Sequence, residues 1–167
     1  MTRREIQSSY GSRNELGKQP ALHSSCDRDF AGLVHGVRPN GRLTRMELVV
    51  FITTETGDDL ILSFAVQCPR DLSGIESLIL LRTPKYEFIL EEHERGVKVS
   101  FERHRDDGDG DLLERFEYVD TDRIVRIRTD AREYELDVRK VDEGDLRKMC
   151  KLVKRMNYDG RFQTADV

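Results

Sequence analysis

The segment RIVRIRTDAREYELDVR, residues 123–139, constrains the fold more than any other part of this sequence. A hairpin that turns between Asp130 and Ala131 pairs apolar residues on one face and opposite charges on the other. The pairs are Ile127 with Tyr134, Val125 with Leu136, Arg128 with Glu133 and Arg126 with Glu135. A slip of one residue would exchange the two faces and bury the charges, so the pattern predicts one register. The arginines are therefore expected to neutralise their cross-strand neighbours.

Three apolar segments with strand character precede this hairpin. Residues 46–54 and 59–66 lie on either side of ETGD, a turn signal, and residues 75–83 end just before Pro84. Apolar residues occur at successive positions in these segments, which indicates that both faces of the strands are at least partly covered.

A further hairpin is predicted for KYEFILEEHERGVKVSFER (85–103), with its turn between His93 and Glu94. Its apolar face pairs Leu90 with Val97, Phe88 with Val99 and Tyr86 with Phe101, and its other face pairs Ile89 with Lys98 and Glu87 with Ser100. We therefore expect six apolar or aromatic side chains of this hairpin to share one face, because the alternative register would bury charge.

The segment VDEGDLRKMCKLVKRM (141–156) has the pattern of an amphipathic helix, predicted over 142–156 with Asp142 as its N-cap. Its apolar residues are expected to pack on the sheet; they are Leu146, Met149, Cys150, Leu152, Val153 and Met156. Its basic residues form a stripe on the opposite face: Arg147, Lys148, Lys151, Lys154 and Arg155. This basic stripe either keeps the surface soluble or binds an acidic partner: a phosphate-bearing ligand, an acidic protein or anionic lipid. Lipid is the least favoured of the three, since the apolar face of the helix is expected to cover the sheet.

Together these segments predict a mainly β (α+β) fold: an antiparallel meander of about eight strands, capped by a C-terminal amphipathic helix. The sheet is expected to form a bent sheet, a sandwich or a partly open barrel. Residues 1–41 are mostly polar and are expected to be largely flexible, 42–158 to form one β-rich domain, and 159–167 to form a tail.

Composition and charge exclude several classes of function. The chain has 167 residues, with 28 Lys and Arg against 32 Asp and Glu, and a formal net charge of −4. An acidic balance argues against nucleic-acid binding, since that usually needs a basic domain. No apolar run approaches the ~20 residues that cross a bilayer, and residues 1–12 lack the apolar segment of a secretory signal. We therefore expect a soluble, cytoplasmic protein that does not bind membranes.

The sequence lacks the common motifs for catalysis and metal binding. It contains no GxxxxGK[ST], GxGxxG, GxSxG or HExxH. Its three cysteines, Cys26, Cys68 and Cys150, lie far apart and have no zinc-ligand spacing. We therefore predict that the protein is not an enzyme and has no cofactor and no metal site.

Two short segments resemble elements of the PilZ family, whose members are β-barrels that bind cyclic dinucleotides. RPNGR (38–42) and DLSGIE (71–76) resemble the RxxxR and [DN]xSxxG motifs of that family. The resemblance implies phosphate contacts from Arg38 and Arg42, and base or ribose contacts from Asp71 and Ser73. Glu76 stands where the second motif ends in glycine and would bring negative charge toward the ligand.

The order of elements, a meander followed by one helix, also resembles the pleckstrin-homology superfold, which hosts many functions. We predict a non-catalytic binding or regulatory module that acts through contacts with a protein partner or with a second copy of itself. The alternative is a β-barrel that binds a small ligand, a phosphate or a nucleotide, with a pocket lined by groups such as Tyr86, Phe101 and Tyr134.

Overall fold

The structure is a computed structural model that describes residues 45–71, 73–107 and 110–167. These residues form eight strands and one α-helix. The strands are β1 (Met46–Thr56), β2 (Leu60–Gln67), β3 (Ile75–Arg82), β4 (Lys98–Phe101), β5 (Asp111–Val119), β6 (Ile124–Thr129), β7 (Glu133–Asp137) and β8 (Gln163–Ala165), and the helix is α1 (Glu143–Met156). Three short 3-10 helices lie at Pro84–Ile89, Glu92–Glu94 and Glu102–Asp107. The expected flexible segment 1–41 lies outside the described residues.

The strands form one sheet in the order β4-β3-β2-β1-β7-β6-β5-β8, and β4 also pairs with β5. Strands β1 to β7 therefore make a closed ring, and β8 is added beside β5. Closure depends on Gly110, whose φ is +89° and whose added Cβ would lie 2.9 Å from the Val99 carbonyl oxygen. Only glycine accommodates both the positive φ and this close approach of the backbones.

The prediction of a purely antiparallel sheet is wrong, because the sheet is mixed. Strands β1 and β7 are parallel, and so are β5 and β8, whereas the other pairs are antiparallel. The odd number of strands in the ring explains why β1 and β7 are parallel. Strand direction alternates from β1 to β7, so the first and seventh strands run the same way and can close the ring only as a parallel pair.

The hairpins at the two ends of the meander are confirmed. Strands β1 and β2 pair antiparallel around the predicted turn, with Thr53 opposite Ser63. Strands β6 and β7 have the predicted register: Ile127 with Tyr134, Val125 with Leu136, Arg126 with Glu135 and Arg128 with Glu133. The four apolar members of the second hairpin are buried. The guanidinium of Arg126 donates to Glu135 over 3.1 Å, so this arginine neutralises its neighbour as expected.

The hairpin predicted for residues 85–103 is wrong. Strand β4 pairs with β3 through Leu80 and Val99, and with β5 through Leu112 and Lys98, so both of its edges are occupied. Residues 84–89 form a 3-10 helix that begins at Pro84, whose fixed φ suits the first turn of a helix. Tyr86, Phe88 and Leu90, expected in the core, are consequently exposed.

Helix α1 is confirmed, with the predicted N-cap. The Asp142 carboxylate accepts a hydrogen bond from the Gly144 backbone N–H over 2.7 Å. The residues of its apolar face, Leu146, Met149, Leu152, Val153 and Met156, are buried, and Cys150 is half-buried. This face lies against β1 and β2, which places the helix on the sheet. Within the described residues, no helix has the length and apolarity needed to span a bilayer.

The nine residues expected to form a tail, 159–167, contain strand β8, which pairs with β5 with Thr164 opposite Phe116. The connection from α1 is held by Asn157, whose side chain donates to the Phe162 carbonyl oxygen over 2.8 Å and accepts from the Phe162 N–H. Phe162 itself is buried. The polar sequence of this segment gives no strand signal, so the structure alone shows that it belongs to the sheet.

Candidate functional site

A group of large apolar side chains lies exposed on the segment that links β3 to β4. Their exposed fractions are 51% for Tyr86, 75% for Phe88, 68% for Ile89 and 41% for Leu90. We call these four residues the apolar platform. Scattered apolar residues are normal on protein surfaces, but four large exposed ones within five positions are a local concentration, which is a feature of interaction surfaces.

The local helix geometry explains why these side chains face outward. A 3-10 helix has three residues per turn, so side chains three positions apart lie above one another. Glu87 is buried and points inward. Its neighbours Tyr86 and Phe88, and Ile89 one turn after Tyr86, are thereby directed toward solvent.

Glu87 is held by Arg82, whose side chain is fully buried at the end of β3. The guanidinium of Arg82 donates to both carboxylate oxygens of Glu87, over 2.7 Å and 2.9 Å. The Gly96 N–H donates to the same carboxylate over 3.2 Å, and the Tyr158 hydroxyl donates to it as well. A bidentate, charge-assisted pair of this kind fixes orientation as well as adding energy. The apolar platform is therefore anchored at its centre.

The same arginine links the apolar platform to the C-terminal end of α1. Its guanidinium donates to both carboxylate oxygens of Asp159, over 2.8 Å and 2.6 Å, and to the Met156 carbonyl oxygen. The Tyr158 ring lies 4.1 Å from the guanidinium carbon, within the range of cation–π attraction. We call Arg82, Glu87, Tyr158 and Asp159 the Arg82 cluster.

The Arg82 cluster keeps its acidic and basic groups charged. Hydrogen bonds from Arg82 lower the pKa of Asp159 to about 2, against the opposing effect of burial. Burial acts to raise the pKa of Glu87, but the hydrogen bonds from Arg82 and Tyr158 outweigh it and leave that pKa lowered. Burial also opposes the charge of Arg82, yet the hydrogen bonds to Asp159 and Glu87 raise the pKa of this guanidinium.

The basic stripe lies on the solvent face of α1, as predicted. Its five residues, Arg147, Lys148, Lys151, Lys154 and Arg155, are all exposed. Lys148 is paired with Asp145 over 2.8 Å, which raises the pKa of the lysine. None of the five lines the cavity beside Phe101 and Tyr134 or the groove beside Arg128 and Arg161.

The structure places Asp71 and Ser73 in the turn between β2 and β3. The Asp71 carboxylate accepts hydrogen bonds from the Ser73 N–H over 2.9 Å and from the Ser73 hydroxyl over 2.6 Å, and these bonds lower its pKa. Arg38 and Arg42, the other two residues implied by the PilZ resemblance, lie outside the described residues. The structure therefore describes only two of the four residues of that predicted site, which stays a prediction.

Glu76, the residue that departs from the PilZ motif, is bonded to Arg103, and this hydrogen bond lowers the pKa of the carboxyl. Arg103 also donates to Glu47 over 2.8 Å. The Arg103 guanidinium carbon lies 4.8 Å from the centre of the Phe101 ring. The negative charge of Glu76 is thus neutralised within the protein.

A cavity of about 280 Å³ lies where β3 and β4 meet the β6–β7 hairpin. The Phe101 and Tyr134 rings line it and contact each other edge to face at 5.9 Å. Its rim includes His104, whose ring is 5.7 Å from that of Phe101, and Arg132, which is paired with Asp111 over 2.9 Å. Two of the three aromatic residues expected to line a pocket are therefore there, whereas Tyr86 lies on the apolar platform.

A wider groove of about 630 Å³ lies between residues 92–96, the start of β5 and residues 160–163. Its charged groups are largely paired: Arg128 with Glu114 over 3.1 Å, and Arg161 with Asp159 over 3.0 Å. Among the described residues, no group of three His, Cys, Asp or Glu side chains is arranged to hold a metal ion.

The sequence pattern does not predict the apolar platform, because the alternation of its residues also fits the apolar face of a β-hairpin. Two signals in the sequence favour the observed arrangement. Pro84 precedes the segment and favours a helical turn, and Ile89 would have placed an apolar side chain on the charged face of that hairpin.

No protein-family model, curated protein or solved structure matches this chain.

Proposed function

We propose that this protein is a non-catalytic binding module that acts in the cytoplasm through contacts of the apolar platform with a protein partner. One observation carries the proposal: Tyr86, Phe88, Ile89 and Leu90 are exposed on a segment that the Arg82 cluster holds in place. Aromatic side chains are enriched at the energetic centres of protein interfaces, and a pre-ordered segment loses little entropy on binding. The order of elements, a meander of strands followed by one helix, resembles the pleckstrin-homology superfold, and we propose this resemblance together with the function.

Placing a photo-crosslinking amino acid at Tyr86 tests the proposal in the cells that produce the protein. We expect a discrete adduct with one protein, and we expect the double change Phe88→Ser and Ile89→Ser to abolish that adduct. The folded state should tolerate the double change, since exposed positions typically alter stability by about 0.5 kcal/mol or less. Thermal unfolding of the purified variant measures this directly.

The matched control places the same crosslinker at Lys151, an exposed position on α1. Adducts of the same masses from both positions would indicate random collisions and would contradict the proposal. An adduct of twice the mass of the chain would identify a second copy as the partner.

A second candidate function is the binding of a small ligand in the cavity beside Phe101 and Tyr134. The paired rings suit a ligand that has a planar ring, such as the base of a nucleotide, and the cavity volume of about 280 Å³ is near the lower end for ligand pockets. A titration with guanosine 5′-monophosphate, followed by amide NMR, should shift the signals of Ile79, Ser100 and Gly110. The change Ser77→Trp fills the cavity and should remove these shifts. Shifts that persist in the Ser77→Trp variant would show that the ligand binds elsewhere.

A further inference from the structure

Three exposed glutamates follow the apolar platform directly in the chain: Glu91, Glu92 and Glu94. We call them the acidic rim. Glu91 and Glu94 cap the 3-10 helix Glu92–Glu94 reciprocally, each side chain accepting a hydrogen bond from the other residue's backbone N–H. The acidic rim is therefore part of a defined local structure beside the apolar platform.

The basic residues beside the acidic rim offset only part of its negative charge. Lys85 is paired with Asp58 over 2.7 Å, and its ammonium nitrogen lies 5.5 Å from the centre of the Tyr86 ring. The Arg95 side chain donates to the Leu90 carbonyl oxygen over 2.9 Å and keeps its charge. Arg161 donates to the Glu92 carbonyl oxygen over 3.1 Å and comes within 3.8 Å of the Glu92 carboxylate, but its shortest ion pair is with Asp159, at 3.0 Å. The three carboxylates of the acidic rim outnumber the positive charges of Arg95 and Arg161 beside them, so the surface that adjoins the apolar platform is net negative.

We propose that the partner presents an amphipathic segment whose apolar residues cover the platform and whose lysines or arginines face the acidic rim. This inference rests on the proposed function and adds the chemistry of the partner. Charge complementarity of this kind increases the rate of association and excludes acidic competitors more than it increases affinity. Apolar contacts with Phe88 and Ile89 supply the affinity.

A second copy of this chain fits the surface less well. A two-fold symmetric contact between apolar platforms would bring two acidic rims together, with like charges opposed. The basic stripe of α1 offers positive charge, but the apolar face of the same helix is buried against the sheet. The helix therefore presents no exposed segment that combines apolar and basic residues.

Two synthetic peptides of equal length test the proposal against the full chain. Both carry leucines at helical spacing, and their remaining positions are lysines in one and glutamates in the other. Amide NMR titration should show the lysine peptide shifting Phe88 and Ile89 signals, with affinity that falls as salt increases. The triple change Glu91→Gln, Glu92→Gln and Glu94→Gln should weaken the affinity for the lysine peptide roughly tenfold.

The matched control removes three carboxylates near the β5–β6 turn and the start of α1, by Asp120→Asn, Asp122→Asn and Glu143→Gln. It produces the same change in net charge and should alter the affinity less than about twofold, since exposed charges away from a contact are screened. Equal weakening by both triple variants, or equal binding of both peptides, would overturn the proposed partner chemistry.

The outcomes separate this inference from the proposed function. If Phe88→Ser with Ile89→Ser abolishes binding of both peptides and the acidic-rim variant changes nothing, the apolar platform remains the binding surface and the basic partner is wrong. If the Phe88 and Ile89 changes affect neither peptide, the apolar platform is not a binding surface and both proposals fail. Self-association that the same changes prevent would assign the surface to a second copy.

Discussion

Replacing Arg82 with methionine should destabilise the protein by about 3–5 kcal/mol, because removing one partner of a buried ion pair leaves the others uncompensated. The Arg82 side chain is fully buried, and its guanidinium contacts Glu87, Asp159 and the Met156 carbonyl oxygen. Methionine preserves much of the apolar volume but offers no hydrogen-bond donor to these groups. Urea unfolding of the two proteins at neutral pH measures the difference in unfolding free energy.

The matched control is Arg128→Met, which removes an ion pair with Glu114 whose side chains are 47% and 49% exposed. Exposed pairs typically contribute about 0–1 kcal/mol, so the control should change stability little. Equal losses of unfolding free energy in the two variants would show that the buried Arg82 cluster stabilises the protein no more than an exposed ion pair does.

The cost of Arg82→Met should also decrease in acid. The pKa of Asp159 is lowered in the native protein to about 2 and that of Glu87 is lowered as well, so their stabilising contribution is present above the unfolded pKa of about 4. It is lost as pH falls from about 4 toward 2, because both carboxyls then take up protons. The variant has no such contribution to lose, and the two unfolding free energies should converge.

Replacing Met149 with alanine should destabilise the protein by about 2–5 kcal/mol, the usual cost of a cavity in a core. Met149 is fully buried on the face of α1 that covers β1 and β2. Alanine is the best helix former, so the change tests packing rather than helix propensity. Chemical unfolding monitored by circular dichroism gives the value.

Lys151→Ala, two residues further on the exposed face of the same helix, is the control and should change stability by about 0.5 kcal/mol or less. A small effect of Met149→Ala would show that the helix is not bound tightly to the sheet. The architecture derived from its amphipathic pattern would then be wrong.

Sequence patterns predicted elements whose partners lie close in the chain. The β6–β7 register follows from alternation around a short turn, and Asp142 begins α1 because it can accept a backbone hydrogen bond there. The basic stripe was predicted for the same reason, since a helix of known period divides its own faces. Its function remains a hypothesis.

The apolar platform depended on contacts between distant residues. Residues 84–90 could form either a strand beside β4 or a 3-10 helix, and local alternation favoured the strand. In the structure β3 and β5 occupy both edges of β4, and Arg82 draws Glu87 inward. Neither the pairing of β4 with two other strands nor the contact between Arg82 and Glu87 can be predicted from residues 84–90 alone.

The sequence by itself determined where most strands lie, how the two outer hairpins pair and which face of the helix is buried, because these depend on periodicity and short turns. The tertiary structure decided that the ring closes, that seven alternating strands make β1 and β7 parallel, and that Asp159 reaches Arg82 from 77 positions away. Such contacts depend on which surfaces meet after folding, and that information is spread over the whole chain.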